Sequence, residues 1–120
     1  MEIREKANLL MIYFAKDEEI MTSIQNVIRE YMIIDARVFG HGYFKRMEYG
    51  ILSKSDPIFF SKYLVEKLVT VTNIQGIIEN RELSVMINSV DEQKEMHSGK
   101  LFTAVAENEM IITLDILKTD

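Results

Sequence analysis

A chain of 120 residues with 48% apolar and 28% charged side chains has the balance of a globular domain, and it is long enough to bury one core. It has no cysteine, which removes disulfides, thiolate zinc sites, iron–sulfur clusters and a cysteine nucleophile, so only His, Asp and Glu could ligate a metal. A net charge of −5 repels phosphate backbones and anionic lipid, and nucleic-acid binding would need a local basic patch.

In chain order, Arg4 and Lys6 precede a short apolar run over residues 9–15. That run falls short of the roughly 20 residues of a membrane span, and Asp17, Glu18 and Glu19 follow it directly where a signal peptide would have small residues. A cytoplasmic location without membrane contact is the expectation. Residues 9–14 suit a well-covered strand. Asp17 can cap a helix, Glu18 and Glu19 suit the positive end of its dipole, and Ile20, Ile24, Val27, Ile28 and Tyr31 fall on one buried stripe.

Val38 and Phe39 end the next strand, and Gly40-His41-Gly42 reads as a tight strand-to-strand connection. A strand over residues 47–52, a polar loop carrying Pro57, and a further apolar segment over 58–65 follow. The β-branched stretch 69–74, the polar turn Glu79-Asn80-Arg81-Glu82 and the alternating Leu83, Val85 and Ile87 make one hairpin. Phe102, Ala104 and Ala106, then Glu107-Asn108-Glu109, then Met110, Ile112, Leu114 and Ile116 read as a second. The predicted class is α+β, an antiparallel β-sheet with one main helix, forming a single domain over residues 1–120.

Little in this pattern carries chemistry. No G-x-S-x-G elbow nominates a serine, and two histidines cannot build a three-histidine metal site. A mixed site would need His97 together with Asp91, Glu92 or Glu95. Lys45 and Arg46 beside Tyr43 and Phe44 could hold single-stranded nucleic acid by charge and stacking, although two cations release few counterions.

Taken in order, several landmarks resemble the PPC (plant and prokaryote conserved, DUF296) domain. They are Lys16-Asp17-Glu18-Glu19-Ile20 at the helix start, Phe39-Gly40-His41-Gly42-Tyr43-Phe44 at the family's G-x-G turn, Glu66-Lys67-Leu68 leading to Asn73-Ile74, and Ser98-Gly99-Lys100-Leu101. The resemblance spans nearly the whole chain. It implies an antiparallel α+β domain assembled as a homotrimer with clefts between subunits, and it nominates His41, Glu66, Asn73, His97 and Lys100 as cleft residues. It implies DNA association only through plant relatives that carry an R-G-R-P hook, which this chain lacks. Many members also bear an H-x-H pair and a G-G-H-L stretch that can hold zinc. Here Val85 and Ile87 align with the pair and Lys100 with the third histidine, so neither a metal, another cofactor nor a catalytic residue is expected. The expected role is a non-catalytic oligomeric domain binding a partner or small ligand between subunits. The alternatives are a DNA-associated accessory protein acting through Lys45 and Arg46, and a metal-dependent enzyme with an altered site.

Overall fold

The computed structural model describes residues 1–120. Strands β1 (Glu2–Lys6) and β2 (Leu9–Phe14) form a hairpin, followed by helix α1 (Ile20–Glu30). Then come β3 (Ile33–Ser55), β4 (Ile58–Val65), β5 (Val69–Glu79), β6 (Glu82–Asp91) and β7 (Gly99–Thr119). All pairings are antiparallel. β3 lies against β7 along almost its full length, from Ile33↔Thr119 to Gly50↔Lys100, while its other edge takes β5 and then β4. β5 pairs β6, and β6 returns to β7 through Met86↔Lys100 and Ile87↔Gly99. The path β3–β5–β6–β7–β3 therefore closes on itself, with β2 and β1 added beyond the C-terminal half of β7.

Strands this long cannot be straight. At about 3.3 Å per residue, the 23 residues of β3 would reach roughly 75 Å, yet the longest dimension of the molecule is 40 Å. Bulges bend both strands together. One lies where Gly42, at φ 145°, faces Glu109, at φ 48°, and the register jumps from His41↔Ile111 to Tyr43↔Asn108. A Cβ on Gly42 would sit 2.5 Å from the Glu109 carbonyl oxygen, so only glycine fits.

This shared kink corrects two expectations. Gly40-His41-Gly42 connects no strands; β3 runs through it. Glu107-Asn108-Glu109 is likewise no hairpin loop, because β7 continues unbroken from Gly99 to Thr119. Turn-type residues appear in both places because a bulge, like a turn, needs unusual φ angles. The other predicted hairpin is present as β5–β6, closed by Asn80 and Arg81 at φ 49° and 71°. Residues 58–65 form strand β4, and Pro57 sits in the turn before it.

Helix α1 buries Ile20, Ile24, Val27 and Ile28 against β7 and β3, as its stripe predicts, with Tyr31 at its C-cap. The cap at the other end is Glu19, not Asp17. Its Oε1 accepts from Thr22 N (2.8 Å) and Thr22 Oγ1 (2.9 Å), and its Oε2 from Met21 N (3.1 Å) and Ala104 N on β7 (3.1 Å). Partial burial pushes the Glu19 carboxyl up, but these donors outweigh it and hold the group below the usual range. Asp17 turns outward at φ 74° and pairs with Lys45. The segment before the helix also binds the middle of β7, through Asp17 N to Ala106 O (2.9 Å) and Ala106 N to Glu18 O (3.0 Å). Because Glu19 joins the helix start to β7, Glu19→Ala should lower unfolding free energy by about 1–3 kcal/mol, measured by urea denaturation. An unchanged midpoint would show that the cap carries no weight.

Candidate functional site

Helix α1 covers one face of the sheet and leaves the other bare. On that outer face a row of paired residues crosses five strands: Met11 (β2), Thr113 (β7), Phe39 (β3), Gln75 (β5), Met86 (β6) and Lys100 (β7 again). Tyr13, Ile111 and His41 make a neighbouring row, and Asp115, Arg37, Ile77 and Ser84 another. Phe39, Ile77 and Met86 are 45%, 43% and 53% exposed. Strand alternation explains the division, since the intervening Val38, Ile74, Val85, Ile87, Ile112 and Leu114 all point into the core.

Three of the five nominated cleft residues reach this face. His41 and Asn73 line one depression of about 420 Å³ with Phe39 and Ile111. Lys100 lines another of about 580 Å³, together with Leu52, Phe60, Gln75, Met86, Asn88 and Ser98. Glu66 and His97 lie elsewhere. Glu66 faces Arg46 at 3.6 Å, and Lys45 is held by Asp17, so each of the two nominated nucleic-acid contacts already has a carboxylate beside it.

His97 belongs to a hydrogen-bonded loop centred on Asp91, whose side chain is fully buried. Asp91 Oδ1 accepts from the backbone of Gln93 (2.9 Å) and Glu95 (3.0 Å). Its Oδ2 accepts from His97 Nε2 (2.9 Å) and faces the Lys67 ammonium at 3.2 Å. The bond from His97, with the Glu95 amide and Lys67, outweighs burial and holds the Asp91 carboxyl far below the ordinary range. Ser89 Oγ donates to the His97 carbonyl (2.6 Å), so no serine hydroxyl meets either imidazole. The ligand atoms of Asp91, Glu95 and His97 do lie within 4.8 Å of one another. A cation there would have to break the His97–Asp91 hydrogen bond and sit beside the Lys67 ammonium, so the donor set suits a loop anchor better than a metal.

Beside Lys100 lies an aromatic and cationic cluster that no motif marks. Phe60 on β4 and Phe102 on β7 meet edge to face at 5.5 Å, Lys62 Nζ sits 4.5 Å from the Phe102 centroid, and Lys100 Nζ 5.3 Å from that of Phe60. Gly50 lies between the two rings, where a Cβ would come 2.5 Å from Phe102.

Against known proteins, no family model and no curated sequence matches this chain. Solved structures do. A candidate DNA-binding protein from Bacteroides thetaiotaomicron matches with TM-score 0.89 at 12% identity, over 98% of this chain and 84% of its own. A metal-containing protein from Archaeoglobus fulgidus matches with TM-score 0.82 at 12% identity, over 99% and 84%. A plant- and prokaryote-conserved protein from Pyrococcus horikoshii matches with TM-score 0.79 at 13% identity, over 99% and 83%. The chain therefore has the PPC-type fold: a mostly antiparallel sheet with one helix, as the motifs imply. No helix is long and apolar enough to cross a membrane.

The zinc that the family resemblance implies does not fit. Val85 and Ile87 are 1% and 2% exposed and point into the core, away from Lys100. A one-residue step in register changes the face of every side chain, and the outward β6 residues beside Lys100 are Met86 and Asn88. None of these offers an imidazole, and Lys100 brings a positive charge.

Asp91 contributes a pH dependence to stability. Its folded carboxyl titrates below its unfolded value, so its stabilisation is complete above about pH 4 and fades as pH falls further. Asp91→Asn should lower the urea midpoint at pH 7, and the gap from wild type should narrow below pH 4. A gap independent of pH would mean that the carboxylate charge does not stabilise the loop.

Proposed function

We propose that the chain acts as a non-catalytic homo-oligomeric domain, a trimer, whose outer sheet face is covered by neighbouring copies and whose clefts between subunits bind a partner or small ligand. The observation that carries this reading is the bare face itself. Phe39, Ile77 and Met86 are exposed on a face shared with Met11, Tyr13 and Ile111 and with no helix over it, and apolar side chains gathered in this way mark an interaction surface. An interface through a sheet face also leaves the backbone hydrogen bonds intact, so little rearrangement is needed to form it. Both outer depressions open on this face, which would place His41 with Asn73, and Lys100 with its cluster, beside the joint between copies.

The DNA-binding description of the Bacteroides protein finds less support in this chain, since Lys45 and Arg46 each face a carboxylate and the net charge is −5. Gel filtration with light scattering should report three times the 14.0 kDa chain mass. Phe39→Asp, which puts a charge in the middle of the face, should yield a folded monomer. A monomeric wild type at micromolar concentration would overturn the reading.

A further inference from the structure

The depression beside Lys100 joins an unneutralised cation to an aromatic pair. Half of the 14 lysines and arginines are spoken for: Arg4, Lys16, Arg37, Lys45, Arg46, Lys67 and Arg81 each lie within 4.0 Å of a carboxylate. Lys100 and Lys62 are among those without a carboxylate, and of these they alone have ammonium groups resting on aromatic rings, those of Phe60 and Phe102. A ring face attracts a cation without neutralising it, so the positive charge remains available to an anion. None of the 11 residues lining the depression is acidic.

Its remaining polar groups can donate. The Ser98 hydroxyl oxygen is buried without a hydrogen-bond partner, a costly state that a bound acceptor would relieve. The Gln75 carbonyl oxygen accepts from Asn73 Nδ2 (3.4 Å), leaving its own NH₂ free, and the Asn88 side chain stands beside it across the β5–β6 pair. Leu52, Phe60 and Met86 supply the apolar part of the lining, Met86 lying between Gln75 and Lys100 in the sheet. About 580 Å³ is the volume of a small-molecule site, and apolar walls with a few convergent polar groups are the usual make-up of one.

We propose that this depression binds a small organic anion, a carboxylate whose oxygens meet Lys100 and the Ser98 hydroxyl and whose apolar or aromatic body lies on Phe60, Leu52 and Met86. This deepens the oligomer reading by naming the ligand class of one of its clefts, and it rests on that reading only for any part of the wall that a second copy would add. The residues named all belong to one chain.

Titration of ¹⁵N-labelled protein with 3-phenylpropionate tests it, with neutral 3-phenylpropionamide and inorganic phosphate as comparison probes and light scattering on every sample. Saturable shifts at the Gly99, Lys100 and Phe102 amides are expected with the carboxylate. Affinity should fall about tenfold or more in Lys100→Gln, recover in large part in Lys100→Arg, and be weaker for the amide and for phosphate. The amide spectrum of each variant reports whether it is folded. Absence of binding, equal binding of the amide, equal binding of phosphate, or a Lys100→Gln affinity matching wild type would each overturn the proposal. A monomeric mass with intact binding would sink the oligomer reading alone, and a trimer that does not bind would sink the ligand alone.

Discussion

The fold depends on one ladder, the antiparallel pairing of β3 and β7 from Ile33↔Thr119 to Gly50↔Lys100. Every other strand except β1 pairs with one of these two, β4 and β5 with β3, β2 and β6 with β7. The helix packs on the same pair, and Glu19 and the residues before it are hydrogen-bonded to the middle of β7. Two strands of 23 and 21 residues fit into a molecule 40 Å long only because they bend together at several register shifts, one of them where Gly42 meets Glu109. A side chain at Gly42 would press on the backbone of β7, so the kink ties the geometry of both strands to one small residue.

How much of this could be read from the residues follows from the range of the interactions. The β5–β6 hairpin was legible because its signals are local: alternating apolar residues on either side of Asn80-Arg81, which take up the left-handed φ values of a tight turn. The helix stripe was legible for the same reason. The kink was not. Glu107-Asn108-Glu109 has the composition of a loop, and what makes it a bulge is the matching irregularity in β3, far away in the chain. The cap was equally ambiguous among three consecutive acidic residues, and the choice of Glu19 depends on the amide of Ala104 arriving from β7.

The candidate site divides along the same line. Motifs placed His41, Asn73 and Lys100 on what turns out to be one face, while Glu66 and His97 went to an exposed ion pair and to the Asp91 loop. Val85 and Ile87 were aligned with ligand positions, but strand alternation sends them inward and puts Ser84 and Met86 outside. Phe60, Phe102 and Lys62 left no trace in the linear pattern, because β3, at Gly50, is what brings β4 and β7 to either side of one another.

The division of the sheet into a covered and a bare face is what the functional account rests on, and the methionines report it directly. With methyl-labelled methionine and a soluble paramagnetic probe, Met11 and Met86 lie on the outer face, while Met32 and Met96, 61% and 72% exposed, serve as references in solvent. The account predicts that in the assembled protein the Met11 and Met86 methyls are shielded from the probe while Met32 and Met96 relax strongly. Strong relaxation of Met86, equal to that of Met96, would show the outer face bare in solution and contradict it.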